Sequence, residues 1–447
     1  MSTTDPLQGS PEVQRPSFVS SAAVTYGTNI AVAVLSLGNV LIIARALGPT
    51  GRGGVAFLTT IAWLSSQLAT LGVQQANANF AAREPHLFRS LATNSFLISL
   101  VAGAGAATIV TGLVAAFPVV AGDSDTALRW LVLGAVPMLI FSVYLQHLAI
   151  ANYGFRVQNV AWLIGPLTNA IGNGLLATFD VLSVGRALAV WITGQGLGML
   201  ILLWFALRRL DGFGRPDRAL ARRMLSFGVK AHAGRVFTLG NYRLDQWIMG
   251  AVSTQRQLGL YSVAVAWSES LFFLPTALSI VQRPDIVRAS RAEAGRLAAR
   301  VFRAAIVITA ILMIGLVVLA PVLVVTFFGD DFSDSVAQLR VLALGAFGIV
   351  ALKLLGTTLT AQGKPMLETA AVSMAFVCIV VLDLVLIPDH GGMGAAIAST
   401  VSYTLGGVVA VLIFARALKL DAGKLTPSGG DLRWLWRRLR PSGSASA

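Results

Sequence analysis

Long apolar runs separated by short polar segments repeat along the whole chain. The uncharged runs measure about 20 to 28 residues, and a helix that rises 1.5 Å per residue needs roughly 20 residues to cross the hydrocarbon core of a bilayer. The strands of a transmembrane barrel would instead alternate apolar and polar residues over about ten positions, and this alternation is absent. The pattern predicts an all-α, polytopic membrane protein with about 12 transmembrane helices.

An internal repeat divides these predicted spans into two sets of six. Segments 128–134 and 339–345, at the start of the fourth and tenth spans, agree at five of seven positions. Chance agreement between helices rich in Leu and Gly is the alternative explanation. Because each set has an even number of spans, the two six-helix lobes are parallel, and lobes of this kind hold their cargo between them near mid-membrane.

The repeat and the charge pattern together predict five segments. They are a cytoplasmic tail at 1–16, an N-terminal six-helix lobe at 17–207, a basic cytoplasmic linker at 208–223, a C-terminal six-helix lobe at 224–415, and a basic cytoplasmic tail, amphipathic and then disordered, at 416–447. Within the second lobe, residues 287–303 carry five arginines among Ala, Val and Leu. This amphipathic pattern predicts a helix in the membrane interface rather than a span.

The distribution of basic residues predicts the orientation of the chain. The sequence has 34 Lys and Arg against 20 Asp and Glu, yet only 12% of its residues are charged and its mean hydropathy is +0.74. If the N-terminus is cytoplasmic, about 24 of the 34 basic residues fall in cytoplasmic segments and about 6 in outer ones. We therefore expect both termini to be cytoplasmic, and the basic charge to meet anionic lipid headgroups rather than nucleic acid.

Short motifs in both lobes resemble a known transporter family. They are Ala-Arg-Ala-Leu-Gly-Pro-Thr-Gly-Arg-Gly-Gly at 44–54, Leu-Asp-Gln-Trp-Ile-Met at 244–249, Leu-Gly-Leu-Tyr-Ser-Val at 258–263 and Thr-Ala-Gln-Gly-Lys-Pro at 360–365. This set resembles the bacterial polysaccharide and O-antigen (Wzx-type) flippases of the multidrug/oligosaccharidyl-lipid/polysaccharide exporter superfamily. The motifs consist largely of Gly and Pro signatures, so they identify the fold better than the cargo. In one departure, Asp383 stands where the family often has Asn.

The resemblance implies a transporter in a bacterial inner or plasma membrane. It would flip a polyprenyl-diphosphate-linked oligosaccharide from the cytoplasmic to the outer leaflet by alternating access, for the biosynthesis of a cell-surface polysaccharide such as lipopolysaccharide or exopolysaccharide. The implied partners are this lipid-linked glycan, membrane lipids, other polysaccharide assembly proteins and a proton or a sodium ion. No cofactor is implied.

Basic residues on the seventh predicted span are the candidates for binding the cargo. On a helix, His232, Arg235 and Arg243 fall within about 80° of one another, with Gln246 on the same face. Guanidinium groups are permanently charged donors that suit a diphosphate. We expect these four residues to line the cargo cavity, with Arg45 and Arg52 as further candidates. The alternative is that acids or carbonyl groups of neighbouring helices satisfy the arginines.

Three acidic residues inside predicted spans are the candidates for ion coupling: Asp245, Glu269 and Asp383. A carboxylate within a bilayer is costly, so each is a functional candidate by default. A proton or a sodium ion could bind there. Equally, each acid could neutralise an arginine and be structural.

Two other classes of function fit the same membrane setting. A glycosyltransferase or polymerase is disfavoured, because the longest outer loops have only about ten residues and lack a cluster of His and acids, so no catalytic residue is predicted. Within transport, a drug/cation antiporter or a peptidoglycan-precursor flippase remains open. The basic seventh span favours an anionic cargo over a cation. The single Cys378 excludes a Cys-rich metal site, and no metal is expected.

Overall fold

The computed structural model describes residues 18–209 and 212–426, and all the regular structure in this part of the chain is helical. The first half contains seven α-helices: α1 (Phe18–Ala69), α2 (Val73–Arg83), α3 (Phe88–Ala116), α4 (Thr126–Gly134), α5 (Val136–Ala151), α6 (Phe155–Thr178) and α7 (Val184–Arg209). The second half contains seven more: α8 (Arg218–Val252), α9 (Gln255–Ser268), α10 (Phe273–Arg288), α11 (Arg291–Phe328), α12 (Ser335–Leu344), α13 (Ala346–Ala361) and α14 (Pro365–Leu418).

Twelve membrane crossings follow from the lengths and bends of these helices. Nine segments of the described chain are long and apolar enough to span a bilayer. Two of them, α1 and α14, are bent at Gly48 (φ 64°) and Gly391 (φ 51°), where the left-handed backbone favours glycine, so each crosses twice. Helix α8 has 35 residues, enough to cross a bilayer, and it provides the twelfth crossing although it carries charged residues. The prediction of about 12 spans is therefore confirmed.

Three spans are interrupted within their length. Helices α4 and α5 meet at Ala135, and α12 and α13 meet at Gly345, which is the corresponding place in the second half of the chain. The α9–α10 span contains a 3₁₀ turn, Glu269–Phe272. Pro275 explains this turn, because its ring lacks the N–H that would bond to the carbonyl group of Leu271. The interruption sets Glu269 at a bend in the span.

The helix ends lie at two faces of the bundle, which we call outer and inner after the predicted orientation. Gly48 and Gly391 lie at the outer end, whereas α2 and the start of α8 lie at the inner end. At the outer end, backbones of the two halves touch: a Cβ atom at Gly53 would overlap the carbonyl oxygen of Gln255, and one at Gly259 would overlap that of Pro49. Glycine therefore permits this close crossing.

Some predicted boundaries differ from the structure. The second predicted span, 52–80, ends at Ala69, because Leu71 and Gly72 adopt positive φ and α2 begins at Val73. The segment predicted to lie in the membrane interface, 287–303, does not form a helix of its own, since most of it is the beginning of the continuous helix α11. Residues 218–223 of the predicted linker belong to α8. The tail at 1–16 and most of the tail at 416–447 lie outside the described residues.

Candidate functional site

One face of α8 contacts the second arm of α1, residues 49–69. Nε2 of His232 lies 3.2 Å from the carbonyl oxygen of Leu68, and Nη2 of Arg235 donates to Oε1 of Gln67 at 3.1 Å. Further along, Oγ1 of Thr60 donates to Oε1 of Gln246 at 3.1 Å. Three of the four predicted residues on this face therefore meet the N-terminal half of the chain.

Arg243, the fourth residue of the predicted stripe, pairs with an acid of its own half. Its Nη1 and Nη2 lie 2.5 and 3.2 Å from the two carboxylate oxygens of Glu269, and Nη1 also donates to the carbonyl oxygen of Tyr242 at 2.8 Å. The two side chains remain 30% and 31% exposed. A bidentate pair fixes the guanidinium geometry, and this degree of exposure shows that the pair is not fully enclosed by protein.

Arg52 stands across from this pair, near the start of the second arm of α1. Its Nε is buried and has no hydrogen-bond partner among the described residues. Its charge is close enough to Arg243 for the two guanidinium groups to repel each other. A buried donor without an acceptor is costly, so the position favours an anion. Arg52 and Arg243 therefore form a basic region between the two halves.

Arg45 lies apart from this region, at the outer end of the first arm of α1. Its exposed side chain donates to the carbonyl oxygens of Phe327 and Thr326 at 2.6 and 2.5 Å. These carbonyl groups belong to the last turn of α11, where a cation satisfies groups that lack helical partners and complements the helix dipole. Arg45 also lines an outer groove of about 570 Å³ between α1 and α6. The structure thus assigns Arg45 to a contact between helix ends.

The acidic candidates are brought together inside the second half. Oδ2 of Asp245 accepts a 2.5 Å hydrogen bond from the Tyr261 hydroxyl group, and Asp245 and Glu269 line a cavity of about 10 Å³, roughly the space for one water molecule. Asp383 is fully buried and close enough to interact electrostatically with Asp245. Neither of its carboxylate oxygens has a hydrogen-bond partner among the described residues.

The pattern of residues 42–337 matches the model of a family described as "Polysaccharide biosynthesis protein". The match covers more than half of the chain. The chain belongs to this polysaccharide biosynthesis protein family. A relative in Haloferax volcanii, named as a probable flippase, AglR, is 26% identical over 288 residues. The match covers 60% of this chain and 60% of the relative, so the chain spans about 60% of the length of the curated relative it matches.

Solved structures give the same fold. The lipid II flippase MurJ in an inward closed conformation superposes with a TM-score of 0.74 at 14% identity, over 91% of this chain and 89% of MurJ. An inward-facing multidrug resistance transporter of the MATE family superposes with a TM-score of 0.65 at 14% identity, over 89% of this chain and 98% of the transporter. The predicted all-α, polytopic fold is confirmed. These solved structures are named as a flippase and a transporter, and the relative in Haloferax volcanii is named as a probable flippase.

Sequence reasoning missed Lys353, an ionisable residue of this family member that lies in the same region. Its Nζ donates to Oγ1 of Thr276 at 2.8 Å and lies 5.6 Å from the centroid of the Tyr242 ring. The sequence pattern does indicate this residue, since Lys353 is an isolated charge within the apolar run of α13. Gln67 gave no comparable signal, because a neutral amide in a span is more often a helix contact.

Proposed function

We propose that this chain flips a polyprenyl-diphosphate-linked oligosaccharide from the cytoplasmic to the outer leaflet by alternating access. The observation that carries the proposal is the basic region between the halves. Arg52 has a buried Nε without an acceptor among the described residues, and the Arg243 side chain is 30% exposed. A diphosphate supplies oxygen acceptors and two or more negative charges, and planar guanidinium groups bind such groups with paired hydrogen bonds.

The relatives support the same class of cargo. AglR is named as a probable flippase, and MurJ is named as a flippase of lipid II. A flippase must open to each leaflet in turn, and the two halves of this chain contact each other near both the outer and the inner ends of α8. The arrangement supports an exchange in which contacts at one end part while those at the other end form.

A drug/cation antiporter is the weaker alternative. A cationic drug would require an acidic cavity, whereas Arg52, Arg235 and Arg243 lie where the two halves meet, and of these only Arg243 is paired with an acid, Glu269, among the described residues. A peptidoglycan-precursor flippase fits the basic region as well, because its cargo also carries a diphosphate. The two diphosphate cargoes differ in the sugar and in what is attached to it, and competition between them in one assay separates these alternatives.

Translocation in proteoliposomes tests the proposal. We expect Arg52→Ala and Arg235→Ala to lower the rate of flipping of a polyprenyl-diphosphate oligosaccharide by at least about tenfold, the equivalent of roughly 1.4 kcal/mol each. Arg129→Ala is the matched control, because Arg129, near the start of α4, bonds locally, to Ser124 and Thr126. Unchanged rates for both cavity variants, at equal protein levels, would exclude a diphosphate site here.

The buried acids are proposed to couple transport to a proton or a sodium ion. Asp383 has no hydrogen-bond partner among the described residues and lies close to Asp245, so a bound cation or proton would relieve the repulsion between the two carboxyl groups. We expect Asp383→Asn to retain flipping but to lose its response to an imposed ion gradient. Wild-type flipping that is indifferent to both gradients would contradict coupling.

A further inference from the structure

Lys353 is a further cation of the C-terminal half, and within the described chain it makes no ion pair of its own. It contacts the hydroxyl group of Thr276 and the ring face of Tyr242, both neutral. Arg243 already occupies both carboxylate oxygens of Glu269. A lysine surrounded by neutral groups is costly without a counter-ion. The position of Lys353 beside an ion pair that is already complete therefore requires an explanation.

The surroundings of Lys353 lead directly to Glu269. Thr276 and Glu269 belong to the same interrupted span: Glu269 begins the 3₁₀ turn, Glu269–Phe272, and Thr276 lies in α10 just after it. Tyr242 links the two cations, because its ring lies under Lys353 and its carbonyl oxygen accepts from Arg243. Lys353 and Glu269 attract each other electrostatically in this arrangement. A small cavity lined by Tyr242 and Glu269 borders the carboxylate.

We infer that Lys353 is the reserve counter-ion of Glu269, and that it pairs with this carboxylate when Arg243 turns away to bind the diphosphate. A buried pair that loses one member leaves an uncompensated charge, which is the most costly outcome for such a site. A lysine has a flexible stem and a compact charge, so it can move between partners without a fixed geometry. Lys353 is therefore a positioning residue that sets how easily Arg243 is released.

The event that draws Arg243 away rests on the proposed function, but the exchange of counter-ions is testable without cargo. In purified protein, Arg243→Gln removes the primary partner of Glu269. We expect Arg243→Gln and Lys353→Met each to lower the unfolding temperature modestly. Together they should lower it by at least about 3 °C more than the sum of the single losses, because Glu269 then has no cation.

Rescue variants separate this role from simple packing. Adding Glu269→Gln to the double variant should restore most of the extra loss, and Lys353→Arg should behave as wild type in the Arg243→Gln background. Lys364→Met is the matched control, since Lys364 donates to the carbonyl oxygen of Ala417 at the inner end. It should combine additively with Arg243→Gln. If the double variant does not accumulate, recovery of the triple variant supports the inference, and equal loss overturns it.

Additive losses for Arg243→Gln and Lys353→Met, or no rescue by Glu269→Gln, would also overturn the inference. This result is independent of whether the protein flips a diphosphate-linked glycan. Conversely, the Arg243→Gln and Lys353→Met losses could prove strongly non-additive while the Arg52 and Arg235 variants flip normally. That result would support Lys353 as the reserve counter-ion and reject the proposed cargo site.

Discussion

Ionisable side chains in this protein differ mainly in whether their charges have partners. Arg243 and Glu269 satisfy each other, and Asp245 accepts from both the Tyr261 hydroxyl group and the backbone N–H of Gln246. Asp383 and the Nε of Arg52 lack hydrogen-bond partners within the described chain. Because an unsatisfied buried charge is costly, these two positions are where an ion or a cargo group gains most on binding.

The Tyr261 hydroxyl group provides a test of this distinction. Tyr261→Phe should cost about 1 to 3 kcal/mol, because Asp245 loses a hydrogen bond in a fully buried site. Thermal unfolding of the purified protein measures the loss. Asp245→Asn makes the acceptor neutral, so the cost of Tyr261→Phe should be smaller in that background. An equal cost in both backgrounds would show that Tyr261 acts through packing alone.

At the scale of helices, glycine determines how closely the two halves meet. At the outer end, Gly53 and Gly259 place the backbone of α1 against that of α9. At the inner end, Gly72 and Gly228 make a similar approach, since a Cβ atom at Gly72 would overlap the carbonyl oxygen of Gly228. Helices in membranes associate largely through such close packing of small residues. A single methyl group added at one of these glycines would therefore disturb the packing at that end of the interface.

Gly259→Ala should separate the outer ends of α1 and α9. The added Cβ meets backbone atoms that cannot rotate away, so we expect a lower unfolding temperature and exposure of residues next to the crossing. A cysteine at the buried Ser262, in a Cys378→Ser background, should then react with a membrane-impermeant thiol reagent. Gly105→Ala is the control, because nothing lies within 4 Å of its added Cβ. Equal reactivity with and without Gly259→Ala would contradict the steric argument.

At the scale of the whole molecule, one contact between the halves at the inner end is an exposed ion pair. Nη2 of Arg223 lies 2.8 Å from Oε1 of Glu84, and the guanidinium lies 5.0 Å from the centroid of the Phe80 ring. The two charged side chains are 53% and 33% exposed. Exposed ion pairs contribute only about 0 to 1 kcal/mol. This ion pair would therefore oppose separation of the inner ends only weakly.

The orientation of the whole bundle remains a prediction from its charges. We expect a cysteine at the exposed Asp331 to be labelled by a membrane-impermeant reagent in intact cells, and one at the exposed Arg215 to be labelled only after permeabilisation. Both variants use the Cys378→Ser background. The opposite labelling pattern would place both termini outside and reverse the proposed direction of transport.

The number of spans and most of the candidate charges could be predicted without a structure, because both are local properties. A run of apolar residues has a length that either crosses a bilayer or does not, and an isolated charge within such a run is conspicuous. Glu269 and Asp383 were identified in this way. The segment at 287–303 shows the limit of this approach, because an amphipathic pattern does not show whether the helix continues into the next apolar run.

The group with which each charged side chain pairs, by contrast, depends on the rotation of its helix against the neighbouring helices. The local sequence pattern does not determine this rotation. Arg243 and Gln246 share one face of α8, yet the first bonds to Glu269 and the second to Thr60 in the other half of the chain. Arg45 and Arg52 are close in sequence, but the bend at Gly48 directs one to the end of α11 and the other towards Arg243. The apolar pattern therefore specifies the helices and their charges, whereas long-range packing specifies which charges are paired and which remain available to a ligand.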